Sequence, residues 1–291
     1  MPLNILVLTD EIFPDAVGGV GKSLYNESAA LSHRGHHITI FVRRIDPSLP
    51  EREIIDGMNV RRVQATTRTS PLYYFFPLII LAKMIRLLRA YHHPIDIIIV
   101  HNPIFLLAAQ LVGFVHRYRT VYIFHSSTAQ EIRLNLARGK YGTLTPLLQL
   151  GARGLHALER FTLRRVDVIV SRSRFMDEEL HELMRGLRHR SCIIPIGVNT
   201  AHYHPLDQSA ARAQLGLPAA RSILFTTRRL VARMGLENLI HAVDSLRQSS
   251  HDVLLLIAGK GFLQPVLAAL IDQLNLQDHV RLLGFVPEAH L

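Results

Sequence analysis

Six short nonpolar runs constrain this chain more than any other feature: ILVLT (5–9), ITIFV (38–42), IDIIIV (95–100), VYIF (121–124), VDVIV (166–170) and CIIPI (192–196). They lack the regular polar alternation of a strand with one wet face, so they read as strands buried on both sides. Segments of helical length separate most of them, which is the alternation of a parallel α/β sheet. The first helix is expected from about Lys22 to Arg34. It stops at Gly35, which can take the left-handed conformation of a helix C-terminus before HHITIFV resumes as strand.

The alternation pauses at 199–221, NTAHYHPLDQSAARAQLGLPAAR, which is polar, small and punctuated by Pro205, Gly216 and Pro218. This stretch is expected to be a linker, dividing an N-terminal Rossmann-like domain at 1–205 from a second one at 206–291. Beyond it come SILFTT (222–227), a helix from Gly235, VLLLIAG (253–259), a helix over 263–274 and VRLLGFV (280–286). The second domain therefore reads as a Rossmann-like sheet only half present. Leu291 follows the last strand with no closing helix, so the chain is expected to be cut short.

The net charge is +10, yet lysine occurs only at 22, 83, 140 and 260, and arginine supplies the rest. Arginine favours planar, bidentate contact with phosphates. Such a balance fits a phosphorylated small molecule, an anionic membrane surface or nucleic acid. Nucleic acid is disfavoured, because the basic residues are scattered and no RNP-like, helix-turn-helix or zinc-finger spacing is present. Cys192 has no partner for a disulfide, and the N-terminus reaches Asp10 and Glu11 too soon for a signal peptide, so a cytoplasmic protein is expected. Pro77, Lys83 and Arg86 interrupt the longest nonpolar tract, which excludes a spanning helix there. Residues 71–93 instead resemble a basic amphipathic helix, with Lys83, Arg86 and Arg89 at three-residue steps. Peripheral contact with the inner face of a membrane is one reading, and a core-facing helix with a solvated stripe is the other.

The strongest chemical signal is 224–246, LFTTRRLVARMGLENLIHAVDSL, where a strand expected to be buried enters a loop carrying Arg228, Arg229 and Arg233. A helix opens at Gly235, and a strand, a cationic loop and a helix N-terminus together seat a diphosphate. AVGGVGKS (16–23) also satisfies a permissive P-loop pattern through Gly21, Lys22 and Ser23. Against it, DEIFPD intervenes after the first strand, and DIIIV ends in His101-Asn102-Pro103 with no carboxylate to hold magnesium. Gly18 and Gly19 would let the backbone approach a ligand closely. His33, His36 and His37 lack a cysteine or carboxylate nearby, so no metal site is assigned to them.

The residues together resemble the family 4 retaining glycosyltransferases, over essentially the whole chain. The resemblance rests on FPDAVGGVGKSLYNESAALSHRGHHITIFV, PIDIIIVHNP, VYIFHSS, VDVIVSRSRFM, IIPIGVNTAHYHP, the diphosphate-seat segment, IAGKGF and VRLLGFV, in that order. It implies the GT-B architecture, two Rossmann-like domains facing across a cleft. It places Gly18 and Gly19 against the donor diphosphate and the acceptor, and His125 in the cleft near the reacting sugar as the catalytic-site residue. Arg229 matches the family's diphosphate-binding arginine. The family's usual lysine before Gly235 is replaced by Met234, and Arg233 stands in as the second cation. Within 284–288, Phe285 and Val286 match the nucleobase contact region.

The resemblance implies transfer of a sugar from a nucleotide-diphosphate sugar to a glycan, lipid-linked or small-molecule acceptor, with retention of configuration. No Asp-x-Asp motif is present, so neither metal nor cofactor is expected and arginine with backbone dipoles takes magnesium's place. The family's paired-glutamate motif would lie beyond Leu291, and little activity is expected of the fragment. Two alternatives stay open: a P-loop NTPase using Gly21-Lys22-Ser23, and a nucleotide-sugar epimerase of the same architecture.

Overall fold

A computed structural model describes residues 1–16, 18–64, 76–127, 145–186, 190–200 and 203–287, with the side chains of 145–150 and of Arg233 excepted. The chain divides into two compact units, Met1–Tyr203 and His204–Leu291.

The first unit is built on an eight-stranded sheet of β1 (Asn4–Thr9), β2 (His37–Arg44), β3 (Arg52–Ile55), β4 (Met58–Gln64), β5 (Ile97–Val100), β6 (Arg119–Phe124), β7 (Val168–Ser171) and β8 (Ser191–Ile193). Their order is β3-β4-β2-β1-β5-β6-β7-β8, and every pairing is parallel except β3 with β4. Helices α1 (Gly19–His33), α2 (Phe76–Arg89), α3 (Pro103–Leu111), α4 (Phe114–Arg117), α5 (Thr145–Leu163) and α6 (Arg174–Leu183) connect the strands.

The lack of alternation in β1 has a direct cause. Ile5 and Val7 pack with Leu24 and Ala29 of α1, while Leu6 and Leu8 pack on the opposite face with Met84 of α2 and Phe105 of α3. Successive strand residues point to opposite faces, so a strand covered on both must be nonpolar throughout. The β3–β4 hairpin escapes that rule and was not legible as nonpolar runs. It carries Arg52, Glu53, Arg61 and Arg62, and turns through Asp56 (φ 45°) and Gly57 (φ 75°), the paired positive angles of a tight two-residue hairpin. The run CIIPI is strand only over Ser191–Ile193, with Ile193, Ile194 and Ile196 exposed, because β8 is the sheet edge and has one neighbour.

The second unit has a parallel three-stranded sheet of order β11-β10-β9, from β9 (Ser222–Thr227), β10 (Val253–Ala258) and β11 (Val280–Gly284). The expected linker holds a short helix, α7 (Gln208–Gln214), capped by Asp207 Oδ1 accepting from Ala210 N at 2.7 Å. Polarity there marked a solvated helix, whose residues are all at least partly exposed. Helices α8 (Leu236–Gln248) and α9 (Gln264–Gln273) contribute Leu236, Ile240, Val243, Leu267 and Ile271 to a core with Val253, Leu255, Ile257 and Val280. The expectation of a buried strand ahead of Arg228 is corrected here: Leu224 is 37% and Phe225 51% exposed. As an edge strand β9 is paired on one side only, and none of its residues joins the core. Among the described residues no helix is long and apolar enough to cross a membrane.

One buried ion pair fixes the loop between β1 and α1. Arg62 of β4 grips Asp15 through Nε–Oδ2 at 2.6 Å and Nη2–Oδ1 at 2.8 Å, both side chains being 1% exposed. Its remaining donors reach the Pro50 carbonyl and Glu53. Removing one partner of such a pair leaves an uncompensated buried charge. Asp15→Ala is expected to lower the unfolding free energy of this unit by about 3 kcal/mol, read as a lower urea midpoint by circular dichroism.

Candidate functional site

In an open parallel sheet, ligands gather at the C-terminal strand ends, where the strand order reverses. The reversal here lies between β1, which leads to β2 on one side, and β5 on the other. The residues that follow those ends are Asp10 and Glu11 after β1, His101 and Asn102 after β5, His125 after β6 and Arg172 after β7. Asn102 caps α3, its Oδ1 accepting from Ile104 N at 2.8 Å. Its Nδ2 donates to Asp10 Oδ2 at 3.3 Å, and Asp10 Oδ1 lies 3.5 Å from Arg43 Nε.

His101 and His125 form a stacked pair, with ring centroids 5.3 Å apart and Nδ1 of His101 3.0 Å from Nε2 of His125. Two nitrogens at that distance hold one proton between them, so the pair is stable when both rings are neutral. Burial, the neighbouring ring and the Arg172 guanidinium push His101 well below the ordinary histidine value, and burial with Arg172 lowers His125 to about 4. Arg172 is itself fixed, its Nη2 donating to Glu27 Oε2 on α1 at 2.5 Å, while Ser23 Oγ donates to the other Glu27 oxygen at 3.0 Å. Ser127, two residues after His125, is tied through Oγ to Glu159 at 2.8 Å and through its amide to Glu179 at 3.0 Å. Arg172 and Ser127, the neighbours of the histidine pair in charge and in the chain, are thus held by carboxylates from three helices.

Gly18 and Gly19 stand at the start of α1. A Cβ on Gly18 would lie 3.4 Å from Glu11 Oε1, whereas one on Gly19 would meet nothing within 4 Å. Gly21 packs against the Ile12–Phe13 backbone, and Lys22 Nζ donates to Tyr203 Oη at 2.8 Å. His36 is absorbed structurally, accepting from Leu3 N at 3.1 Å.

In the second unit, Arg228 and Arg229 are exposed in the segment after β9, followed by a 3-10 turn at Ala232–Met234. The main chain of Arg233 lies in that turn, and its side chain is outside the described residues. Gly235 takes φ 65° and ψ 30° to open α8. Phe285 is 54% exposed just past β11, Val286 is partly exposed, and Glu288 lies outside the described residues.

The loops after β9 and β10 are knitted backbone to backbone: Arg228 N donates to Ala258 O at 2.9 Å, Leu230 N to Lys260 O at 3.0 Å and Leu263 N to Leu230 O at 3.1 Å. Gly259 N donates in turn to Gly284 O at 2.6 Å, adding the end of β11. A Cβ at Gly259 would sit 1.9 Å from Arg228 O, and one at Gly261 2.2 Å from Leu230 O. Only glycine permits that approach. Sequence reasoning assigned no role to His101, Asn102, Arg172, Gly259, Lys260 or Gly261, although each of these immediately follows or lies just beyond a nonpolar run.

Comparison with known proteins adds the following. The family model of Glycosyltransferase Family 4 matches residues 17–202, and that of Glycosyl transferases group 1 matches 207–291. An uncharacterised glycosyltransferase of Methanocaldococcus jannaschii is 23% identical over 289 residues, covering 98% of this chain and 70% of that protein. Sucrose-phosphate synthase of Thermosynechococcus elongatus superposes with a TM-score of 0.74 at 20% identity, over 99% of this chain and 72% of that one. An Anabaena protein solved in complex with UDP gives a TM-score of 0.65 at 18% identity, over 99% and 71% of the two chains. The chain spans 61% of the length of one relative and 59% of another.

The histidine pair gives a signed pH dependence. Unfolded histidines take protons near pH 6.5, whereas folded His125 does so only near 4. The contribution is therefore complete above about pH 6.5 and is lost as the pH falls toward 4, because only the unfolded chain binds the proton in that window. Urea midpoints at pH 7.5, 6 and 5 are expected to fall in that order, and the decline is expected to be shallower in His125→Gln.

Proposed function

Because the match to Glycosyltransferase Family 4 covers most of the chain, the protein belongs to that family of glycosyltransferases, and we propose that it transfers a sugar from a nucleoside-diphosphate sugar to an acceptor, with retention of configuration and without a metal ion. The observation that carries the donor assignment is the cationic edge of the second unit, where Arg228 and Arg229 stand exposed between β9 and the start of α8. Neither arginine has an acidic partner among the described residues. Glycosyl transfer builds negative charge on the departing diphosphate as the sugar becomes oxocarbenium-like. Fixed cations and helix N–H groups placed there stabilise the transition state more than the ground state.

On this reading Arg229, with Arg233, binds the diphosphate, and Phe285 and Val286 flank the base. Gly18, partly exposed, and Gly19, exposed, offer backbone at the N-terminus of α1 to the donor phosphates and the acceptor. His125, neutral at physiological pH, meets a hydroxyl of the reacting sugar as a hydrogen-bonding group rather than as a cation. Its neutrality suits a site where positive charge grows on the sugar ring, since an imidazolium would oppose it.

A P-loop reading gains no support from Lys22, whose amino group is directed to Tyr203. The epimerase alternative differs in needing no acceptor, so donor turnover without acceptor separates it. For the acceptor we favour a glycan or a lipid-linked sugar. Peripheral membrane contact through 71–93 fits the exposed Leu78, Arg86 and Arg89 of α2, while residues 71–75 lie outside the described residues. Liposome co-sedimentation at low and high salt tests that contact.

Calorimetric titration with UDP, GDP and ADP in the presence of EDTA tests the donor site. One diphosphate is expected to bind without metal, and Arg229→Ala to weaken it at least tenfold, a loss of roughly 1.5–3 kcal/mol for a charged hydrogen bond. Lys22→Ala is expected to change affinity less than twofold. Dependence on magnesium together with loss in Lys22→Ala would replace this reading with the P-loop one.

A further inference from the structure

We propose that Lys260 is a further cation of the donor site, beside Arg229 and Arg233, and holds the second phosphate of the diphosphate. This rests on the glycosyltransferase reading and names a residue that the sequence motifs left unassigned. Met234, at the position just before Gly235, is turned inward and packs against the core of the second unit. It is uncharged, so it brings no cation to that position.

Three observations bring Lys260 to the segment that carries the arginines. First, it lies between Gly259 and Gly261, whose missing side chains let this loop touch the Arg228–Leu230 backbone at distances no Cβ would survive. Gly259 adopts φ 145°, a conformation L side chains rarely take. Second, the Lys260 carbonyl accepts from Leu230 N at 3.0 Å, so its Cα is held beside the segment that carries Arg228 and Arg229. Third, Lys260 is exposed and its Nζ stands 5.7 Å from the Phe285 ring centroid, a cation–π contact that biases the flexible side chain toward the end of β11. The ammonium has no carboxylate partner among the described residues.

A lysine presents a point charge with rotatable donors, which suits a phosphate oxygen. Poised on Phe285, it stands where the diphosphate of a nucleotide would pass between the arginines and a base lying near that ring. Lys260 is thus a binding residue, with Phe285 as its positioning partner.

The test compares wild type, Lys260→Ala, Lys260→Arg and Arg229→Ala by calorimetry with UDP, ADP and GDP, and with the matching monophosphates. Circular dichroism melting monitors the fold of each variant. Lys260→Ala is expected to weaken the preferred diphosphate about tenfold and the monophosphate less than threefold, with an unchanged melting temperature, and Lys260→Arg is expected to restore most of the loss. If Lys260→Ala binds the diphosphate within twofold of wild type while Arg229→Ala loses it, the inference about Lys260 is wrong and the donor site stands. Equal weakening of mono- and diphosphate would also overturn it, because Lys260 would then contribute nothing to holding the second phosphate. Wild type that binds none of the nucleotides would remove both the inference and the reading beneath it.

Discussion

Burial of the central strands of the eight-stranded sheet on both faces sets where much else in the first unit can be. With α1 on one face of β1 and α2 with α3 on the other, Leu6, Val7 and Leu8 are at most 2% exposed, and no polar side chain fits in those positions without a partner. Polar groups are therefore displaced to the strand ends, and the C-terminal ends collect Asp10, His101, Asn102, His125 and Arg172. Their mutual contacts pair many of the groups that the sheet excludes, although Arg172 Nε is buried without a hydrogen bond among the described residues. Arg172 answers Glu27, Asn102 answers both Asp10 and the first turn of α3, and the two imidazoles answer each other. The same crowding keeps the histidines neutral, since neither burial nor a nearby guanidinium tolerates an added positive charge.

The second unit reaches a comparable result through backbone rather than side chains. Close approach at Gly259 and Gly261 locks two loops together at the ends of β9 and β10, and the Gly259–Gly284 hydrogen bond adds β11. Three strand ends thereby become one surface, and the exposed residues on it include Arg228, Arg229, Lys260, Phe262 and Phe285. Cations held on a rigid backbone lose little freedom when an anion arrives, which is the condition for stabilising a developing diphosphate charge.

What was legible in the sequence follows from the same physics. Strands covered on both faces announce themselves as unbroken nonpolar runs, so β1, β2, β5, β6 and β7 could be read directly, as could β10 and the glycine-bounded helix α1. The β3–β4 hairpin was hidden because Arg61 and Arg62 sit in its second strand, and what makes Arg62 tolerable there is Asp15, 47 residues away. Edge strands misled in the other direction, since β8 and β9 are nonpolar in sequence yet exposed. His125 was assigned through family resemblance, but its contact with His101 and the Arg172–Glu27 pair depend on strand order, which brings β5, β6 and β7 side by side. Lys260 was hidden for a related reason: its meaning lies in which backbone the flanking glycines touch, and spacing alone does not say.

If the loops after β9, β10 and β11 form the seat of a nucleoside diphosphate, as proposed, hydrogen–deuterium exchange with and without saturating UDP, in EDTA, will register it. Added protection is expected over 228–236 and 259–263, with 16–23 changing less. Protection confined to 16–23, or UDP protection nowhere in 222–287 despite measurable binding, would contradict it.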